Sequence, residues 1–278
     1  MHTPVLLEQT LIELHVQPGK KYIDATYGLG GHSREILAQG GQVLGIEWDA
    51  QSLAQRESEE LANNPHLALV SGNFADIESI ATDHDWTDVD GILFDYGLSM
   101  WQIKESGKGL SYENDDEPLD MRIDDTLPTT AEDIITSYSE DQLYDTFTRN
   151  AEEINSRAIA HALVQSRRIE PIRTVGDLKR VVKEVKGDMG TLARVFQALR
   201  IEVNHEFDNL TKGLEGAMKI LASDGRIVII TFHPSEDRIV KQWTKSHDVH
   251  TIKRALRAKQ GQRFERSALL RVITHKSL

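Results

Sequence analysis

The 278-residue chain has no cysteine. That absence excludes a disulfide framework, a thiolate zinc site, an iron–sulfur cluster and a cysteine nucleophile. Long apolar runs are also missing. Stretches such as Ala68 to Val70 and Ile227 to Ile230 are a few residues long, against the ~18–20 needed to span a membrane. Met1-His2-Thr3-Pro4 shows no basic region followed by an apolar block. No signal peptide is expected, and the expected location is cytoplasmic with no membrane partner. Positive charge is short overall, with 32 Lys+Arg against 44 Asp+Glu and a net charge of −12. Taken whole, that figure argues against a nucleic-acid partner.

The charge is unevenly divided. Residues 1–104 carry net −11, residues 105–148 net −11 and residues 201–237 net −4. Residues 149–200 carry net +5 and residues 238–278 net +9. Phosphate contacts depend on local cations. Lys253, Arg254, Arg257, Lys259, Arg263, Arg266 and Arg271 crowd the C-terminal stretch around Phe264. The plain alternative is a pair of solvated basic faces.

The first hundred residues alternate short apolar runs with helical periods. The runs are Tyr22–Thr26, Val43–Ile46, Leu67–Val70 and Gly91–Phe94. Helical stretches lie at Val5–Val16, His32–Ala38, Leu53–Leu61 and Asp76–Ala81. Strands apolar throughout, joined by helices and short loops, predict right-handed crossovers and a parallel sheet. The alternation stops over the acidic residues 105–125. Helices are then expected at Glu132–Tyr138, Glu140–Phe147, Glu152–Arg167, Val175–Val185, Thr191–Phe207 and Leu210–Leu221. A strong strand at Arg226–Phe232, a helix at Pro234–Trp243 and two β-like runs close the chain. The assembly is an α/β sheet, from 1–104 and 206–278, interrupted by a helical insertion at 105–205.

The first strand-to-helix turn reads Asp24-Ala25-Thr26-Tyr27-Gly28-Leu29-Gly30-Gly31-His32. Open α/β sheets bind ligands at such a turn. A dinucleotide fingerprint would need a third glycine where Ser33 stands. An acid four residues before a Gly-x-Gly suits S-adenosylmethionine better, with Asp24 meeting its ammonium. Glu47 at the end of the second strand can accept from ribose hydroxyls, and Phe74 after the third can face adenine. The other reading makes the glycines a tight turn and Phe74 core. Asp95-Tyr96-Gly97-Leu98 ends the fourth strand. A carboxylate there can accept N–H bonds from an amine awaiting methylation; its alternative role is a turn acid.

Several strings resemble the RsmH (MraW) family, whose members methylate N4 of a cytidine in small-subunit (16S) ribosomal RNA. They are His2-Thr3-Pro4-Val5-Leu6-Leu7-Glu8, Asp24 to Ser33, Pro118-Leu119-Asp120-Met121-Arg122, Phe196-Gln197-Ala198-Leu199-Arg200-Ile201, Phe232-His233 with Glu236-Asp237-Arg238, and Arg266-Ser267-Ala268. The resemblance implies a Rossmann-like S-adenosylmethionine-dependent methyltransferase domain carrying a helical RNA-recognition insertion. It puts cofactor contacts at Gly30, Gly31, His32, Glu47, Phe74, Asp95 and Gln102, beside Asp24 and Gly28 from the turn itself. Its partner is small-subunit rRNA or the assembled 30S subunit. The oligomeric state stays open, with a homodimer among the options.

This chain departs from the family pattern at several places. Glu47 stands where Asp is usual, Tyr96 and Met100 alter the Asp-Leu-Gly-x-Ser-Ser turn, and Pro234 follows His233 in place of Ser. Lys186 to Gly190 replaces a His-Pro-Ala segment.

Asp95 and His233 are the catalytic candidates, although a loop histidine can equally be satisfied by backbone. Arg194 and Arg200 lie six apart on one helix, so one can meet phosphate and the other a carboxylate. Arg254, Arg257, Arg263 and Arg266 are further RNA candidates. Asp115-Asp116-Glu117 with Asp120 is read as a solvated loop with no metal site expected, and Asp120 with Arg122 as an ion pair. Trp48 and Trp101 flank the expected pocket. Two rivals stand: an enzyme of this fold acting on another amine, in DNA or protein, and a non-catalytic RNA-binding assembly factor.

Overall fold

The computed structural model describes residues 4–50, 53, 64–97, 102–103, 106–257 and 267–276, with 253–257 as backbone alone. The first elements are α1 (Leu7–Leu14), β1 (Lys21–Asp24), α2 (Gly31–Ala38), β2 (Gln42–Glu47), β3 (Leu67–Ser71), α3 (Ile77–Asp83) and β4 (Val89–Asp95). Five helices follow: α4 (Ala131–Ser137), α5 (Glu140–Ala151), α6 (Ser156–Ser166), α7 (Val175–Val185) and α8 (Met189–Asn204). The chain closes with α9 (Glu206–Ile220), β5 (Leu221–Thr231), α10 (Pro234–Ser246), β6 (Val249–Arg257) and β7 (Leu269–His275). They form two compact units, Met1–Gly97 with Phe207–Leu278, and Leu98–Glu206. The helix expected over Leu53–Leu61 lies, beyond Leu53, outside the described residues. Among the described residues no helix is long and apolar enough to cross a membrane.

The first unit is built on a seven-stranded sheet of order β3-β2-β1-β4-β5-β7-β6. The central strands carry continuous apolar runs, such as Ile92–Phe94 and Ile227–Ile230, because both faces are covered there. Side chains alternate across a strand, and neighbours sort to opposite cores. Leu44, Ile46, Ile92, Phe94, Ile227 and Ile229 join Leu210 and Leu214 of α9 on one face. Val43, Leu93, Val228 and Ile230 join Leu14 of α1 and Ile36 of α2 on the other. The sheet is mixed rather than wholly parallel. β1 to β5 run parallel, while β7 lies antiparallel between β5 and β6. The reason is local: β6 ends at Arg257 and β7 begins at Leu269, a connection shorter than the dozen or more residues that a parallel crossover needs.

The second unit packs α4 to α8 around a core that includes Leu119, Met121, Ile134, Leu143, Phe147, Ile159, Leu163, Val195 and Leu199. Capping boxes start three of these helices: Thr130 with Asp133, Ser139 with Gln142, and Thr174 with Asp177. Each satisfies backbone N–H groups that a helix start leaves open. The irregular segment before α4 is tied to α8 by Asn204. Its buried amide donates to the Met121 carbonyl and accepts from the Ile123 N–H, both at 2.8 Å. Positive φ resets two of the expected helix boundaries. Glu152 takes φ 51° and ends α5, so α6 begins at Ser156 rather than Glu152. His205 takes φ 49° and ends α8, so α9 begins at Glu206.

Candidate active site

β1 pairs with β2 on one side and β4 on the other. The connection through α2 therefore leads away in one direction and the one through α3 in the opposite direction. The crevice beyond the carboxyl ends of β1 and β4 is the switch point where sheets of this kind bind ligands.

The glycine turn lies there, and its glycines serve two different needs. Gly28 and Gly30 adopt φ 52° and 69°, a region that favours glycine. Gly31 is packed against instead: a Cβ there would come within 2.3 Å of Pro4 Cγ. The Tyr27 N–H donates to the Ile46 carbonyl and the Gly30 N–H to the Tyr27 carbonyl. Glu47, nearly buried, shapes the same turn from β2. Its Oε2 accepts the Gly28 N–H at 2.8 Å and its Oε1 the Asp49 N–H at 2.9 Å.

Asp24 is 1% exposed. Its Oδ2 accepts the Ser33 hydroxyl at 2.7 Å. Burial raises its carboxyl above the ordinary value, against the opposing pull of His32 and the Ser33 bond. Thr26 joins the two strand ends, its Oγ1 accepting the Asp95 N–H at 2.7 Å. Across the crevice, His32 Nε2 stands 3.5 Å from Asp95 Oδ2. His32 is 5% exposed. Both its ring nitrogens, and Asp95 Oδ1, are buried without a hydrogen-bond partner among the described residues. Orphaned buried polar atoms are rare in folded proteins and call for an explanation. Three in one crevice leave a set of groups open to a polar ligand.

Phe74 is mostly buried, meeting Trp48, Phe94 and Tyr96 edge-on at centroid distances of 6.3, 6.0 and 5.3 Å. His233 caps α10: its Nδ1 accepts the Ser235 N–H at 3.3 Å. Glu236 accepts the backbone N–H groups of Phe232 and His233. The Phe232 ring backs the turn after β4, where a Cβ on Gly97 would fall 2.9 Å from it. On the far side of α10, Asp237 pairs with Arg271 of β7 and with Lys241.

Asp24, Gly28, Gly30, Gly31, His32, Glu47, Phe74 and Asp95 thus all belong to the sheet unit, on the strand ends or the turns that leave them. Gln102 belongs to the second unit, where its carbonyl accepts the Ser106 hydroxyl. Arg194 and Arg200 both hold carboxylates: Arg194 Nε donates to Glu153 at 2.6 Å, and Arg200 grips Glu206 through two bonds of 2.7 and 3.0 Å. Arg254 and Arg257 lie on β6 with side chains outside the description, and Arg263, Arg266 and Trp101 lie outside the described residues. Asp115 pairs with Lys179, Glu117 accepts the Gly109 N–H, and Asp120 grips Arg122. Among the described residues no group of three His, Cys, Asp or Glu could hold a metal ion. Thr26, Ser33 and Pro4 were given no role in the sequence. The hydroxyls beside the strand-end acid and the glycine turn were the available signal for the first two.

A family model described as the MraW methylase family matches residues 1–278. Among curated proteins, the chain is 39% identical over 254 residues to ribosomal RNA small subunit methyltransferase H of Bacteroides fragilis, covering 89% of this chain and 82% of that one. It is 39% identical over 287 residues to the protein of that name from Desulfotalea psychrophila, covering 98% and 97%. Among solved structures, an rRNA methylase from Streptococcus thermophilus aligns over 100% of this chain and 99% of that one, at 9% identity and a TM-score of 0.44.

Proposed function

Since the chain belongs to the MraW methylase family, we propose that it transfers a methyl group from S-adenosylmethionine to N4 of a cytidine in small-subunit (16S) ribosomal RNA, in the cytoplasm. The observation that carries this reading is the set of buried groups at the switch point, the His32 ring nitrogens and Asp95 Oδ1, that have no hydrogen-bond partner among the described residues. When bound, the cofactor supplies an activated methyl on a sulfonium. The residues present fit it: Asp24 offers a carboxylate to the ammonium, Glu47 accepts from the ribose hydroxyls, and Gly28 and Gly30 keep the backbone open to close approach. Phe74 would lie against the adenine face. Gln102 is a further cofactor contact.

Asp95 does the work on the amine. The lone pair of a cytosine amino group is delocalised into the ring. A carboxylate oxygen that accepts one of its N–H bonds draws that pair out of the plane and toward the methyl. The amine's proton passes to the Asp95 carboxylate. The remaining contribution is alignment of amine and methyl. His233, fixed by its capping role, stands as a positioning group at the end of β5.

The helical unit is proposed to recognise the RNA, with Arg194, Arg200 and the C-terminal Arg254, Arg257, Arg263 and Arg266 meeting phosphates. At Arg194 and Arg200 a phosphate competes with Glu153 and Glu206. The substrate is the RNA or the assembled 30S subunit. Purified small subunits incubated with methyl-labelled cofactor, then digested to nucleosides, test the reading. Label in N4-methylcytidine supports it; label in another nucleoside or in protein, or none, overturns it.

A further inference from the structure

Asp95 has two oxygens in different surroundings. Oδ2 faces His32 Nε2 at 3.5 Å, and Oδ1 is buried without a partner among the described residues. The backbone on both sides is fixed. The Asp95 N–H is held by Thr26 Oγ1. His32 sits in the first turn of α2, directly after Gly30 in its left-handed conformation and Gly31 against Pro4. We propose that His32 is the positioning residue for Asp95: its Nε2–H holds the Oδ2 edge of the carboxylate, so that Oδ1 is turned to the amine being methylated. The proposal rests on the methyltransferase reading above and deepens it at one atom pair.

The geometry gives three reasons. An aspartate with one edge untied can rotate about its terminal torsion, which is broad, and would present either oxygen. A bond from His32 removes that freedom. The separation of 3.5 Å is longer than a good hydrogen bond, as catalytic hydrogen bonds often are before substrates are in place. His32 also has Nδ1 to spare for the cofactor, so one ring can link cofactor occupancy to the setting of Asp95. The charges facing His32 are Asp24 from β1 and Asp95 from β4. Glu47 of β2 is engaged by Gly28 and Asp49. Arg34 on its own helix is exposed, and Glu13 of α1 faces Arg226. Two carboxylates therefore compete for one imidazole. Asp24 accepts the Ser33 hydroxyl and the Thr26 N–H, whereas Asp95 Oδ2 stands 3.5 Å from Nε2, so Asp95 is the carboxylate placed to take that ring hydrogen.

Two measurements test this. The first needs no turnover. Ring-nitrogen NMR of His32, assigned by its loss in His32→Gln, reports which nitrogen carries the hydrogen, in the purified protein and after addition of S-adenosylhomocysteine. Hydrogen on Nε2 in the wild type, redistributed in Asp95→Ala, is expected. An identical pattern in the two proteins overturns the pairing.

The second is a double-mutant cycle in single-turnover methylation of small subunits. Asp95→Asn keeps a carbonyl acceptor, so its residual rate is the reference. His32→Gln is expected to slow the wild type about 10–100-fold, to leave the KM for subunits unchanged and to change the shape of the pH–rate profile. In the Asp95→Asn background it is expected to add less than about twofold. Effects that multiply, or a slowing that lies wholly in KM, overturn the proposal. A wild-type protein inert on small subunits sinks the substrate assignment instead and leaves the NMR result to decide the pairing.

Discussion

In the sheet unit, the crevice beyond β1 and β4 holds a buried acid, a buried imidazole with no hydrogen-bonded ring nitrogen and a carboxylate oxygen with no partner among the described residues. In the helical unit, charge is matched by charge. Arg149, Arg157, Arg173 and Lys179 pair with Asp145, Asp141, Glu132 and Asp115. Arg180, Arg194 and Arg200 pair with Glu170, Glu153 and Glu206. The basic stretch 149–200 thus folds largely onto acids, many from the stretch before it. Residues 98–206 hold 14 Lys+Arg and 21 Asp+Glu, net −7. A polar group left unsatisfied costs stability and persists where a ligand completes it. A paired group stabilises the fold and has less to offer a ligand. The acids follow the same division. Burial raises Asp24. In the helical unit burial pushes Asp120 and Glu153 the same way, but bonds from Arg122 to the first, and from Asn155 and Arg194 to the second, win and hold both below the ordinary value.

The largest effect is expected from Asp95→Ala, which should lower methyl transfer by roughly 10²–10⁴-fold while changing cofactor affinity less than about tenfold. Full activity would show that the orphaned oxygen does nothing. Next comes Arg194→Ala, which removes the cation facing the buried Glu153 and leaves it the Asn155 bonds, and should destabilise the protein by about 2 kcal/mol in denaturant titration. The sign of its pH dependence is fixed. Glu153 is depressed in the folded state, so its contribution is present above the unfolded value and lost as pH falls through the folded one. The variant should therefore lose less stability on acidification than the wild type, and parallel curves would refute the pair's importance.

A third test sets the two basic stretches against each other. Neutralising Arg254, Arg257 and Arg263 together should lower the log–log salt slope of RNA binding by about 2–3. The same change at Arg149, Arg157 and Arg173 should move it by less than about 1, because those cations already face carboxylates. Equal losses would break the distinction.

Asp24→Asn follows with a smaller and opposite sign. A raised carboxyl stabilises most below its unfolded value and loses that contribution as pH rises through the folded one. The amide should therefore stabilise the ligand-free protein at neutral pH by about 1 kcal/mol, at a cost in cofactor binding. Thermal melts with and without S-adenosylhomocysteine check both halves. The smallest effect is expected at the exposed Arg157–Asp141 pair, where Arg157→Ala should leave the denaturation midpoint nearly unchanged, since solvent screens such a pair.

Much of this was legible before folding. The apolar runs marked β1 to β5, since a strand buried on both faces has no polar alternation to hide it. Asp24, Glu47 and Asp95 could be placed at strand ends because each follows such a run. Other features were illegible. Glu152 and His205 end helices by taking positive φ, which neither residue type announces. The antiparallel β7 and the partner of each arginine depend on segments far apart in sequence. His233 offered two readings, and the cap on α10 became visible only with Ser235 and Glu236 in place.

By itself the sequence determined the strand-and-helix order, the glycine turn with its acids and the family strings, because periodicity, turn chemistry and motif spacing are local. It also placed the positive charge along the chain. Tertiary structure decided what that charge does. The net charge of a segment is additive in sequence, but a cation's availability depends on which carboxylate lies within a few ångströms. That distance is set by packing, which in the helical unit brings cation to carboxylate and in the sheet unit leaves His32 Nε2 and Asp95 Oδ2 3.5 Å apart.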